Sequence, residues 1–308
     1  MYDLVVIGHL LKERIIFADR RKIGPVLGSP AAYSATAAAR TGAKVGLVSL
    51  VGRDMPDELL DILYAAGIDM QGVYREERGT EDLLIYDETG NKRLEFIHKA
   101  RQIEFNDIPE DYLKARMFLI CPIDYEMEPA SLQALYRQGS DMAVDIGGYG
   151  GASSQAGRYS IREKIDYLEE IAPYFKVIKG SREDIQRLYG NDTPGDKAFM
   201  AELVARGVPL SIVTCGADGA LLQERRGIHR VPVFTGSAID TTGAGDSWFG
   251  AFLAEYIKAE DAYRSAVYAS AFASIMVEQS GGVNMQRMPG RKEVEERIKR
   301  EDKLCLFE

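Results

Sequence analysis

The chain has few of the residues that staple small proteins together or hold metal ions. It contains three cysteines (Cys121, Cys215 and Cys305), three histidines and no Cys-x-x-Cys pair in 308 residues. That scarcity argues against a zinc site or a disulfide framework and suits a reducing cytoplasm. Positive charge is also in deficit, 38 Lys and Arg against 47 Asp and Glu, for a net charge of −9. An acidic surface repels phosphate backbones, so nucleic acid is not the expected partner; a small anion needs only a local dipolar or positive pocket. No apolar run is long enough for a transmembrane helix, so no membrane partner is expected. The opening Met1-Tyr2-Asp3-Leu4-Val5-Val6-Ile7-Gly8 lacks the basic stretch and long apolar run of a targeting segment and reads as a first strand. It continues into Gly8-His9-Leu10-Leu11 rather than Gly-x-Gly-x-x-Gly, which removes a dinucleotide-binding dehydrogenase from consideration. There is neither an internal repeat nor a low-complexity linker.

What is present is an ordinary globular balance of 46% hydrophobic and 28% charged residues, in a length that fits two small domains or one large α/β domain with an insertion. Apolar runs at Leu4–Ile7, Val45–Val51, Met117–Cys121, Met142–Ile146, Val177–Ile178 and Ser211–Thr214 read as buried strands. Helical patterns lie between several of them: Pro30–Arg40 ending at Gly42, Pro56–Ala66 ending at Gly67, Asp196–Arg206 ending at Gly207. This alternation predicts a parallel sheet covered on both faces. Two places break the rhythm. Leu83–Tyr86 and Arg93–Ile97 flank the turn residues Asp87-Glu88-Thr89-Gly90-Asn91-Lys92, and Arg14–Phe17 lies too close to the first strand for a helical crossover. They predict a small antiparallel sheet inserted between the parallel units, from about 12–27 and 80–100, which would cover a site or merely decorate an edge. Later, Ala220–Gln223 and Ile228–Val233 form another hairpin, Asp246–Ile257 and Ala262–Val277 two apolar helices, and Arg291–Lys303 a charged surface helix.

The segment with most chemistry is Ile239-Asp240-Thr241-Thr242-Gly243-Ala244-Gly245-Asp246-Ser247-Trp248-Phe249-Gly250-Ala251-Phe252. Small residues before an apolar helix let the backbone turn tightly and let a ligand approach its amides. A helix start carries unpaired N–H groups and a partial positive charge, which together make an anion site. Asp246 beside that site can accept the proton of an attacking hydroxyl. The plain alternative is an aspartate capping a helix after a glycine turn.

The complete string Asp-Thr-Thr-Gly-Ala-Gly-Asp resembles the C-terminal signature of the ribokinase family, the PfkB carbohydrate kinases. Val213-Thr214-Cys215-Gly216-Ala217-Asp218-Gly219-Ala220 looks like that family's turn bordering the nucleotide, and Gly42–Asp54 follows its pattern too. The resemblance implies a Rossmann-like three-layer α/β/α fold with a β-sheet lid, over one kinase domain. It implies ATP-dependent phosphorylation of a sugar or polyol hydroxyl, with Asp246 as base and Gly243, Ala244 and Gly245 as anion hole. Gly28-Ser29-Pro30-Ala31-Ala32-Tyr33 stands where the family has Gly-Gly-x-x-x-Asn, so Gly28, Ser29 and Tyr33 are substrate-pocket candidates in which a phenol replaces an amide. Glu13 matches a substrate-gripping acid, and a carboxylate there suits a polyol. Asp145 in Val144-Asp145-Ile146-Gly147-Gly148-Tyr149 resembles an inositol-kinase-like branch and ends a parallel strand, where α/β sheets place ligands. Lys179, Ser181, Thr214, Gly216, Gly219 and Ser270 are the implied nucleotide neighbours. Ser181-Arg182-Glu183-Asp184 replaces the family's Asn-x-x-Glu; Asp184 would reach magnesium through water, while Ser181 equally suits a helix N-cap. Asp240 and Thr242 match positions that hold a monovalent cation, such as K+, in many members. Members often pair through the lid, which makes a homodimer an expectation here. A nucleoside kinase of the same family and a non-catalytic ligand-binding protein are the rival readings.

Overall fold

Period-two alternation inside continuous apolar runs decides the core. The computed structural model describes residues 1–88, 92–155 and 157–301. In β1 (Leu4–Ile7) every residue is buried: Leu4 and Val6 join one hydrophobic cluster, Val5 and Ile7 the other. A strand buried on both faces sits mid-sheet between two helical layers. β2 (Leu11–Ile16) and β3 (Lys22–Gly28) follow, then α1 (Pro30–Arg40), β4 (Val45–Gly52), α2 (Asp57–Ala65) and β5 (Asp69–Glu76). Next come β6 (Thr80–Tyr86), β7 (Lys92–His98), β8 (Met117–Ile120), α3 (Pro129–Tyr136), β9 (Asp141–Asp145) and α4 (Ile161–Ile171). β10 (Val177–Ser181), α5 (Arg182–Tyr189), α6 (Asp196–Ala205), β11 (Leu210–Thr214), β12 (Ala220–Glu224) and β13 (Gly227–Val231) precede α7 (Ala244–Ala259), α8 (Ala262–Met276) and α9 (Arg291–Arg300).

The nine-stranded sheet runs β13-β12-β11-β10-β9-β8-β1-β4-β5. Its pairs are parallel from β11 to β5, and the β12–β13 hairpin is antiparallel. Helices α1, α7 and α8 cover one face; α4, α5 and α6 contribute to the core on the other. Gly250 lets α7 approach α1, because a Cβ there would lie 2.1 Å from the Ser34 carbonyl oxygen. The neighbouring Phe249, Phe252 and Leu253 are fully buried, at about 1.5–3 kcal/mol each.

A second sheet, β3-β2-β6-β7, forms the lid. It is not wholly antiparallel as expected: β2 and β6 pair in parallel, Leu11 with Thr80 through Ile16 with Ile85. The two strands come from distant parts of the chain, so no hairpin constrains their direction. Lys12 on β2 ion-pairs with Glu81 on β6 at 3.0 Å and with Asp54 beyond β4, fastening the lid to the main sheet. The hairpin-turn residues Thr89, Gly90 and Asn91 lie outside the described residues, as do Cys305 and the end of the charged C-terminal segment. No described helix is long and apolar enough to cross a membrane.

Candidate active site

The start of α7 is shaped by two neighbours. Gly243 is the N-cap with φ 71°, a left-handed conformation that suits glycine, and a Cβ there would sit 2.4 Å from the Tyr33 ring. The Ser247 N–H donates to the Gly243 carbonyl at 2.9 Å, and the Ala244 N–H closes a turn onto Thr241 O at 3.1 Å. Helix geometry leaves the Gly245 amide at the first turn without an intrahelical acceptor. Lys179, on β10, brings a cation to the same spot: its Nζ would be 3.3 Å from a Cβ on Gly245.

Asp246 lies between two cavities and lines both. One, of about 670 Å³, is strongly polar and includes Asp145, Lys179, Ser181, Asp184, Thr214 and residues 241–245. The other, of about 230 Å³, lies under the lid and includes Glu13, Gly28, Ser29, Tyr33 and Asp82. Asp246 is half-buried, so it meets solvent, and its carbonyl accepts from Ser34 Oγ at 2.9 Å, which ties it to α1.

Lys179 donates to Asp145 Oδ2 at 2.5 Å, and both are buried. Burial disfavours either charge, but Asp145, Asp184 and Asp246 together hold the Lys179 ammonium above its ordinary range. Asp184 accepts from the Ser181 N–H and Oγ–H at 2.7 Å each and from the Ala152 N–H at 2.8 Å. Ser181 in turn caps α5, so the two residues form a reciprocal capping box.

The sequence matches the description pfkB family carbohydrate kinase over residues 1–288. The chain belongs to the pfkB family. It is 32% identical over 260 residues to a cytidine kinase of Thermococcus kodakarensis, covering 83% of this chain and 89% of that one. It is 24% identical over 294 residues to a nucleoside kinase of Methanothermobacter thermautotrophicus, covering 91% and 90%. In structure it resembles a fructokinase of Xylella fastidiosa solved with bound ATP, with a TM-score of 0.83 and 20% identity, covering 98% of this chain and 100% of that one. The fold is thus the ribokinase-like one, and relatives of this chain are kinases that act on hydroxyl groups.

Within this pfkB-family chain, several site expectations change. Asp145 does not join Glu13, Ser29 and Tyr33 under the lid; it pairs with Lys179 in the other cavity, because β9 ends beside β10. The Ala244 amide, one of the three expected anion-hole groups, is engaged in its own turn with Thr241 O. Ser270 lines neither cavity: its Oγ accepts from Trp248 Nε1 at 3.0 Å between α7 and α8. Gly216 and Gly219 form a turn with φ 57° and 88°, also outside both linings.

Asp240 and Thr242 do not fit a monovalent cation, because a guanidinium already serves their carbonyls. Arg287 is fully buried; its Nη2 donates to Asp240 O at 2.7 Å and Thr242 O at 2.8 Å, and its Nη1 to Gly281 O. Asp240 Oδ1 accepts from the Thr242 N–H at 2.9 Å, and Oδ2 from the Gly281 N–H at 3.1 Å.

Ser29 has a backbone conformation that favours glycine. It has φ 136° and ψ 148°, a region that strains any residue with a Cβ, while its Oγ caps α1 by accepting from the Ala32 N–H at 3.0 Å. Ser29→Ala, which loses the cap and keeps the strain, is expected to lower stability by about 1–2 kcal/mol. Ser29→Gly is expected to match or exceed the wild type, since glycine is a tolerable N-cap and is unstrained there. Urea unfolding of the three proteins checks the order.

Sequence reasoning missed Ser34, Asp82, Arg187 and Arg287. Arg187 lines both cavities alongside Asp246. Its place on the charged helix α5, after the Ser181 cap, was the one available signal.

Proposed function

We propose that this protein transfers a phosphoryl group from ATP to a sugar hydroxyl of a nucleoside. The observation that carries the reading is Asp246 standing between a polar cavity at a helix start and a second cavity under the lid. ATP supplies the phosphoryl group. The substrate hydroxyl lies against Asp246, which takes its proton. The amides at the start of α7 and the Lys179 ammonium face the transferring group; Arg187, exposed to both cavities, adds a second cation. Asp184, its carboxylate oriented by Ser181 and Ala152, would help to hold magnesium, which would offset the phosphate charge.

Two observations favour a nucleoside over a free sugar. The 32% identical relative is a cytidine kinase. A further cavity, lined by Phe96 and Tyr125 among others, adjoins the lid cavity at Ile123 and offers aromatic surface to a base. Glu13 supports a second reading, a polyol or free sugar, since its carboxylate can accept from two hydroxyls. An accessible Asp246 argues against a non-catalytic protein.

The test is ADP release with cytidine, adenosine, uridine, ribose, 2-deoxyribose and myo-inositol. At least one nucleoside is expected to exceed every free sugar or polyol by about tenfold or more in kcat/KM, a difference of about 1.4 kcal/mol in transition-state binding. Turnover of a free sugar or polyol alone would replace the nucleoside reading.

A further inference from the structure

The lid carries a carboxyl group that neither the anion site nor the proton transfer uses. Asp82 lies in register with Glu13 on β2 and with Phe96 on β7, so the three side chains share one face across the lid. Glu13 and Asp82 line the cavity that reaches Asp246, and Phe96 lines the adjoining one. Asp82 is fully buried, and neither of its carboxyl oxygens has a hydrogen-bond partner among the described residues. A buried polar group with no partner costs stability and persists where a ligand completes it.

We propose that Asp82 is a specificity-determining residue which, beside Glu13, hydrogen-bonds an uncharged nucleoside at the end of the lid cavity remote from the phosphate donor. The inference rests on the kinase reading above and deepens it by naming the residue and the charge class of the acceptor.

Burial first, and then the neighbouring Glu13, pushes the Asp82 carboxyl up to about 8. At neutral pH it is therefore an acid, with one O–H to donate and one C=O to accept. The other titratable groups lining this cavity are Glu13 on β2, Arg93 on β7, Tyr33 on α1, Arg187 on α5 and Asp246 on α7. Neither arginine neutralises Asp82: Arg93 pairs with Glu95 at 2.7 Å and Arg187 with Glu183 at 3.0 Å. An acceptor that carries a carboxylate or phosphate at this end would be repelled by the Glu13 carboxylate that already acts on Asp82. A neutral molecule with hydroxyl or amino groups satisfies both.

Asparagine is close in shape to the protonated acid and never ionises. The experiment compares wild type, Asp82→Asn and Asp82→Leu with cytidine between pH 6.5 and 9. If only the protonated form binds, the wild-type KM rises about tenfold between pH 7 and 9, as the competent fraction falls. Asp82→Asn should hold a flat KM relative to that rise, and Asp82→Leu should raise KM about tenfold at pH 7 with a smaller change in kcat. An unchanged KM in Asp82→Leu, or the same pH rise in Asp82→Asn, overturns the proposal.

Melting temperature is the second readout and needs no turnover. The native carboxyl holds its proton up to about 8, whereas its ordinary value is 3.8. Between those values the native state binds the extra proton, so the wild type loses stability relative to Asp82→Asn as pH rises from about 4 to 8. A difference that is flat with pH overturns the protonated state. If cytidine is not phosphorylated but ribose, 2-deoxyribose or myo-inositol is, the nucleoside reading fails and the KM series with that acceptor still decides the role of Asp82.

Discussion

Asp246→Asn is expected to lower kcat by about 10²-fold or more while leaving the KM for ATP within about threefold. The substitution keeps the shape of the side chain and the backbone carbonyl that accepts from Ser34 Oγ. It removes only the group that can take a proton. A helix-stabilising role predicts a different pattern. Asp246 occupies the first turn of α7, where a carboxylate favours the helix by about 0.3–1 kcal/mol through its dipole. If that were its whole function, the variant would lose a little stability and keep its rate. Steady-state kinetics, with calorimetric titration of a non-hydrolysable ATP analogue, separates the two. Retained kcat with normal nucleotide binding would remove Asp246 from the chemistry, and with it the reading of the two cavities as donor and acceptor sites.

The parts of the fold that were legible are those whose signal is local. β1, β4, β8, β9, β10 and β11 are buried on both faces, so their apolar runs stand out whatever their neighbours. β5, and β3 within the expected 12–27 lid segment, were not singled out because each is an edge strand without a continuous apolar run: Lys22–Pro25 is exposed and interrupted by Gly24 and Pro25, and β5 places Gln71, Tyr74 and Arg75 outward. The parallel β2–β6 pair was illegible for another reason. Its direction depends on pairing across distant sequence, and an alternating strand looks the same in either direction. The site divides in the same way. Gly243–Asp246 is contiguous, and the turn, the helix start and the acid can be read together. Asp82 depends on a fold: in Thr80-Glu81-Asp82-Leu83 it looks like one more exposed acid. Alternation with Thr80 and Leu84 would have put it on their face, but not under a lid. Asp145 misled for the converse reason, since a strand's C-terminal end marks the ligand side of a sheet without saying which cavity will take the residue.

Arg287 carries the second large prediction. Its guanidinium gathers the carbonyls of Asp240, Thr242 and Gly281, so the turn before Gly243 is held by a cation belonging to the chain. The Arg287 Cζ also lies 5.9 Å from the centroid of the Tyr33 ring, the ring that fixes Gly243 from its other side. Arg287→Met is expected to cost about 1–3 kcal/mol in urea unfolding, because three part-buried carbonyls and the Asp240 carboxylate lose their donor together. It should also lower kcat by about tenfold or more, since the amides must be aimed to stabilise developing charge. Arg287→Lys should fall between, retaining the charge and losing the planar fork. A fixed guanidinium further predicts that wild-type turnover is the same, within about twofold, in potassium, sodium or tetramethylammonium chloride at equal ionic strength. The smaller Arg287→Ala opens the carbonyl cluster, and added guanidinium or potassium should restore part of its rate. Strong potassium activation of the wild type, with no such restoration in Arg287→Ala, would mean that the turn is held by a cation from solution and that the arginine is only a packing group.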